Sequence, residues 1–412
     1  MDWRTTIASV LADFQAHRWT YLSMPLVAAL VGYTSKMLAV EMIFAPLEFV
    51  GIKPWFGWQG VVPRKAEKMA STAADLLLGR VLKPEDLIRR LDPQRIVKEL
   101  EQPLRESCED LVREIGEHYL PGFWMTLPDF ARRAIIRRVQ QEIPQVATEL
   151  WQDIGRDVDH YLDVRHMLVS NLVKDRALLN RVLRKVGYKE FSFFRNAGLV
   201  FGFGLGLVQL VCWIIWHKPW LMPAFGAVVG FVSDWVALQL LFRPLQPHRI
   251  LGFKVQGLFI ARQKEVARDY AEIMAKQLLT PANLVEELLR GPFADRVVDL
   301  VQKHVQQATD SQLGAARPLV MLALGSKRFI EIREHLVKRI LELLPETSKK
   351  VERYALDALD ISNTIVARME LLTPEEFEGM LRPAFKEDEM TLITVGAVLG
   401  FIVGEIQIQL ML

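Results

Sequence analysis

Cysteine is scarce, and what there is has no partner within reach: Cys108 lies in a charged stretch and Cys212 in an apolar one. The two belong to different phases, so no disulfide is expected. Net charge is nearly absent as well. At +2 over 412 residues the chain offers no global field to a polyanion, and no arginine-rich, aromatic-interleaved surface appears, so nucleic acid is excluded as a partner. Motifs that carry chemistry are missing too: there is no Cys-x-x-Cys, no His-Glu-x-x-His, no Gly-x-Ser-x-Gly and no phosphate-binding lysine loop. The chain therefore reads as a non-enzyme without a cofactor. The nearest approach to a metal constellation is Asp159, His160, Asp163 and His166 in "DVDHYLDVRHM"; amphipathic helices collect such residues freely, so no metal site is expected. Residues 1 to 18 carry Arg4, Asp13, His17 and Arg18 and show no apolar core followed by a cleavage site, so they read as a retained amino terminus.

What the chain has in abundance is apolar side chains, 51% of residues, alongside 24% charged ones. A mean hydropathy of +0.15 is high for a protein in water, so the charge must be segregated from the apolar runs. Four runs reach the roughly 20 residues that a helix needs to cross hydrocarbon: Trp19 to Phe44, Gly198 to Trp216, Pro219 to Phe242, and Thr391 to Leu412. Trp19, Tyr21, Trp213, Trp216 and Trp220 mark one face of the membrane, and Trp55, Trp58, Phe193 and Phe194 the other. The middle spans form a hairpin, while long polar inserts separate the first from the second and the third from the fourth. Both inserts then lie on one side.

The inserts read as helices. Ile135, Val139, Ile143, Val146, Leu150, Ile154, Val158 and Tyr161 recur every three or four positions, as do Phe329, Ile332, Leu336, Ile340 and Leu343. "DPQRIV", "TPANLV" and "TPEEFE" each put Asp or Thr before a Pro, the signature of a capped helix start. No alternating strand pattern of any length is present.

The chain repeats itself. Gly32 and Gly230, Ser35 and Ser233, Ala39 and Ala237, Phe44 and Phe242, Pro46 and Pro244 all differ by 198 positions, and so do Gly198 in "GLVFGFGLGLVQ" and Gly396 in "GAVLGFIVGEIQ". This is a tandem duplication of span, helical insert, span. Each unit holds an even number of spans, so the repeat is parallel and its pseudo-twofold axis follows the membrane normal.

"GYTSKMLAVEMIFAPLE", "KEFSFFRNAGLVFGFGLGLVQ" and above all "LTPEEFEGMLRPAFKEDEMTLITVGAVLGFIVGEIQ" resemble the bacterial membrane proteins grouped as domain of unknown function 445, over nearly the entire chain. The resemblance implies a bacterial inner-membrane protein with helical extramembrane domains, and it brings no activity, cofactor or catalytic residue. The family pattern has Asn where this chain has Lys36, which would make the charges discussed next particular to this chain.

Small residues fall at every fourth position of the spans: Ala28 and Gly32; Gly198, Gly202 and Gly206; Gly226 and Gly230; Gly396, Gly400 and Gly404. Such stripes let helix backbones approach closely, within one bundle or in a homo-oligomer. One turn beyond stand Lys36 and Asp234, at equivalent repeat positions, and Glu405 lies beside Gly404. An ionisable group at mid-bilayer costs about 2.5 to 3.5 kcal/mol on insertion scales, so each needs a partner or water. Lys36 is expected to pair with Asp234 or Glu405, or to extend towards the interface. Glu41 and Gln239 form a second equivalent pair near the span ends.

Arg64, Lys65, Lys68, Arg184, Lys185, Lys189, Arg195, Arg243, Arg249, Lys254, Arg262 and Lys264 flank the insert side, against Arg18 and Lys218 on the other. The excess places the inserts in the cytoplasm and both termini outside. Arg132, Arg133, Arg137 and Arg138 read as a solvated helix face or as a contact for anionic lipids. The fold expected is an all-α polytopic membrane protein: residues 1–62 with span one, a helical domain at 63–190, the span hairpin at 191–245, a second helical domain at 246–390, and span four at 391–412. Its partners are the bilayer, anionic lipids and a further copy of itself. The role expected is a membrane-anchored scaffold or interaction platform, with a lipid or amphiphile carrier that uses a groove between the helical domains and the membrane bundle as the alternative.

Overall fold

Length and apolarity decide where the long helices fall. The computed structural model describes residues 18–52, 56–216, 218–250, 252–314, 325–350, 352–382 and 389–411; the residues up to His17 and Trp55 lie outside these ranges. Helices Arg18–Phe44, Tyr188–Trp216, Leu221–Phe242 and Glu389–Met411 are the four spans, long and apolar enough to cross a membrane. Span two starts ten positions before Gly198, because Tyr188 to Ala197 continue the helix without a breaker. Pro25 sits inside span one and is buried, where neighbouring helices shield the backbone groups that it frees.

Two short β-hairpins amend the all-α reading of a chain that is otherwise overwhelmingly helical. Val50–Ile52 pairs with Phe56–Trp58, and His248–Ile250 with Phe253–Val255. Strands of three residues are too short to write an alternating pattern, and Gly252, at φ +83°, supplies the left-handed turn that glycine adopts without penalty. The elements after spans one and three follow one order: a cis Ala45–Pro46 or Arg243–Pro244 bond, a hairpin, a short helix (Val61–Arg64 or Leu258–Ala261), a longer one, a π-helical turn (Leu77–Val81 or Met274–Leu278), and a helix opening on Pro84 or Pro281.

The capped starts form as their residues dictate. Asp92 accepts a hydrogen bond from Gln94 N, Thr280 from Asn283 N, and Thr373 from Glu376 N within a full capping box, each satisfying a backbone donor that the first helical turn leaves unpaired.

The chain divides into two compact units. One comprises Met1–Ala73, Leu172–Tyr270 and Met369–Leu412, and holds the spans; the other comprises Ala74–Asn171 and Ala271–Arg368. The sequence suggested a separate domain for each insert, at 63–190 and 246–390, whereas by contacts the two inserts contribute to one unit. Helix Pro93–Tyr119 packs on Asp129–Arg156 and on Ser326–Lys350, and Ala294–Leu313 packs on the last two. Their shared core contains Val301, Val305 and Val337, with Leu150, Leu336, Ile340 and Leu341 against it. An amphipathic stripe requires an apolar partner, and here each insert supplies the other's.

Candidate functional site

Within the span unit the glycines set the geometry. Gly32 and Gly198 face one another so closely that a methyl group on either would overlap the other's carbonyl; Gly202 meets the Ala28 carbonyl, and Gly206 meets Pro25 and Ala28. The second seam repeats this. Gly226 lies on Gly400, Gly230 on Gly396, and Gly404 on the Met222 carbonyl. Eight of the nine glycines of the stripes thus stand where an added methyl group would meet the backbone of the facing helix, and at the ninth, Gly396, it would meet the Asp234 carboxylate.

Four residues after Gly32 and Gly230, and so on the same helix faces, come Lys36 and Asp234. The structure places Lys36 Nζ 2.6 Å from Asp234 Oδ1 and has it donate to Ser233 Oγ at 2.8 Å. The two side chains are 0% and 1% exposed, which makes this a closed ion pair. The Phe194 ring centroid lies 5.5 Å from Nζ. Asp234 Oδ2 is buried without a hydrogen-bond partner and rests against Gly396, where a methyl group would overlap it. Ser35 and Ser233 each turn their hydroxyl back to a carbonyl in their own helix, Gly32 O and Gly230 O, at 3.2 Å. Glu405 is not part of this group. It is exposed on span four, one residue and therefore about 100° of helical rotation beyond the packed Gly404.

A further pair at the repeat spacing meets in the core, and the sequence reading passed over it. Gln209, 3% exposed, donates to Met222 Sδ at 2.9 Å and lies 3.5 Å from Gln407 Oε1. Below it Tyr21, Met24, Met222 and Ile408 form an apolar cluster. Between the levels of Ser35 and Gln209 runs a slot of about 30 Å³ lined by Ser35, Ser233, Gln209 and Gln407 among the glycines. It has room for a water or two. The 198-residue spacing was the signal that could have found Gln209 and Gln407.

At the span ends the cations are largely spoken for. Arg184 pairs with Glu41 at 2.7 Å, Lys189 with Glu265 at 2.8 Å, and Arg382 with Glu378 at 2.5 Å. Arg262 binds the buried Glu190 and, at 2.9 Å, Glu265. Hydrogen bonds from Lys189 and then Arg262 hold the Glu265 carboxyl below its usual range. Gln239, the counterpart of Glu41, donates to Glu389 at 3.1 Å, and Asn180 donates to the Phe44 carbonyl at 2.6 Å. Burial alone pushes the Tyr270 hydroxyl up.

The residues of "DVDHYLDVRHM" disperse in the insert unit. His166 Nδ1 lies 2.8 Å from Glu287, Asp163 accepts from the His166 backbone N–H at 2.8 Å, and the His160 carbonyl accepts from Arg296 at 2.9 Å. Among the described residues no group of three or more His, Cys, Asp or Glu is placed to hold a metal ion. Cys108 is buried there, and burial pushes its thiol up to about 11.

Residues 224–346 match the model of a family described as "Protein of unknown function (DUF445)". A UPF0754 membrane protein of Thermosynechococcus vestitus is 22% identical over 94% of this chain and 96% of its own length. One from Rippkaea orientalis is 21% identical over 94% and 95%. One from Staphylococcus aureus reaches 30% identity over 22% of this chain and 25% of its own. No solved structure matches the chain. The four apolar helices, the family match at 224–346 and the near full-length likenesses together make this a membrane protein similar to the uncharacterised bacterial family of domain of unknown function 445.

Proposed function

We propose that the chain is a non-enzymatic scaffold of the bacterial inner membrane, in which a closed four-span bundle anchors a helical interaction platform. The observation that carries the reading is the Lys36–Asp234 pair, 0% and 1% exposed. The Lys36 and Asp234 charges of the bundle core are spent on each other, as in a structural anchor, and neither is left open to a passing cargo. The two glycine seams, the recurrent order of elements and the meeting of residues 198 apart support a tandem duplication about an axis along the membrane normal. The excess of Lys and Arg beside the inserts supports a cytoplasmic platform, since the rule counts cations and gives little weight to the acids that pair with them.

Cross-linking in native membranes, followed by identification of protein and lipid companions, tests the scaffold. A reproducible protein companion attached through the inserts is expected; bound lipid with no protein companion would overturn it. One observation favours the carrier alternative: a groove of about 590 Å³ whose lining includes Leu289, Val298, Val337 and Leu341, with Arg290 and Lys338 also at its wall. That volume suits an acyl chain. Stoichiometric lipid on the purified chain, displaced by Val298→Trp, would favour the carrier.

A further inference from the structure

The turn joining helices Pro93–Tyr119 and Asp129–Arg156 is built to a fixed shape, yet it faces outward with large apolar side chains. Each helix has nearly 30 residues and runs about 40 Å at 1.5 Å per residue; the connection at one end is the short helix Pro121–Thr126 followed by Pro128. Trp124 pins it. Its ring is 6% exposed and lies over Gly116, where a methyl group would overlap it. Arg132 clamps the other side, donating to the Leu127 carbonyl at 3.0 Å and to the Met125 carbonyl at 3.3 Å. On this braced turn Phe123, Met125 and Phe130 are 57%, 72% and 72% exposed. None of the three belongs to a span, so the bilayer around the bundle does not account for their exposure.

Charge completes the picture. Arg133 and Arg137 follow Phe130 by three and seven residues and share its helix face; both are exposed. Arg138 donates to Gln312 at 2.8 Å. Of the acids nearby, Asp129 lies 3.8 Å from Arg132, Glu142 accepts from Gln312, Glu114 is held by His335 and Arg339, and Glu117 is exposed, so cations prevail at the tip. An apolar tip with arginines one and two turns behind it matches the profile of an anionic bilayer surface, with apolar side chains at the acyl boundary and guanidinium groups at the phosphates. We propose that this turn is a membrane-docking tip whose partner is an anionic phospholipid bilayer. Phe123, Met125 and Phe130 enter it, and Arg133 and Arg137 hold its headgroups. The inference is independent of the scaffold reading, because it concerns lipid at one turn of the inserts and not a protein companion.

The test uses the full chain with Cys108→Ser, Cys212→Ser and Thr126→Cys, carrying an environment-sensitive fluorophore at position 126, in phosphatidylcholine nanodiscs. Vesicles of phosphatidylglycerol and phosphatidylcholine in equal parts are added, and in a second arm the nanodisc itself contains phosphatidylglycerol. A blue shift is expected with phosphatidylglycerol in at least one arm, and none with phosphatidylcholine alone. Phe123→Ser with Phe130→Ser should weaken vesicle binding about a hundredfold. Arg133→Gln with Arg137→Gln should weaken it about thirtyfold and remove most of its salt dependence. Phe123, Phe130, Arg133 and Arg137 are exposed, and circular dichroism of each of these variants should match the labelled parent that carries the cysteine changes. Absence of a shift in both arms overturns the proposal. So does a shift produced in pure phosphatidylcholine by adding unlabelled chain, which would assign the tip to self-association.

Discussion

The two seams of the span bundle are built alike and differ at one charged position. In one, Gly32 meets Gly198 and the next turn carries Lys36; in the other, Gly230 meets Gly396 and the next turn carries Asp234. The glycine contacts close each seam within its own repeat, Gly32 on Gly198 and Gly230 on Gly396, so they do not by themselves choose which repeat lies beside which. The charges are not indifferent. Lys36 opposite a second Lys36, or Asp234 opposite a second Asp234, would bury like charges; only unlike halves give the 2.6 Å ion pair. The seams hold the spans of each repeat together, and the unlike charges Lys36 and Asp234 make the two repeats distinguishable where they meet.

Removing one of the two charges is the most damaging change. Lys36→Met or Asp234→Leu alone strands a buried ion and should cost about 3 to 5 kcal/mol, read as lost resistance to unfolding in mixed micelles. Making both changes together should restore most of that loss, and so should exchanging the charges as Lys36→Asp with Asp234→Lys. If the exchanged chain is no more stable than the single variants, the pair does not set the fit of the halves. Next in size are the glycines: Gly32→Ala and Gly230→Ala should each cost about 1 to 3 kcal/mol by overpacking, and by similar amounts, measured in the same assay. A large cost at one and none at the other would show that the seams are not equivalent. Gln209→Leu should cost only about 0.6 kcal/mol, the usual scale of a side-chain hydrogen bond between membrane helices, and Gln407→Leu should match it. Smallest is Arg184→Ala. Its pair with Glu41 leaves the two side chains 45% and 55% exposed, so the loss should stay below about 1 kcal/mol and fade in high salt.

Particular residues show how far the sequence could be read. Lys36 and Asp234 were legible as partners because each falls four residues past a packed glycine, which fixes the face it occupies. Glu405 was equally legible as an ionisable residue, but it stands one residue past Gly404, and that rotation turns it to the exposed side. Gln209 and Gln407 share the spacing of the charged pair yet carry no charge to draw notice. The hairpins at Val50–Trp58 and His248–Val255 left no trace in periodicity, since three-residue strands contain hardly one full alternation.

By itself the sequence determined the number of long apolar helices, the glycine stripes, the 198-residue spacing of matched residues and the helical character of the inserts, because each is written in local composition and period. Tertiary structure alone decided which surfaces meet. The stripe that passes through Leu150 demands an apolar partner without naming one, and the fold supplies Val301, Val305 and Val337 from the other insert. Likewise a buried lysine demands an anion, and only the packing of span one on span three brings Asp234 within hydrogen-bond reach. Periodicity fixes what a helix face must bury, whereas the choice among faces that could satisfy it depends on contacts between residues far apart in the chain.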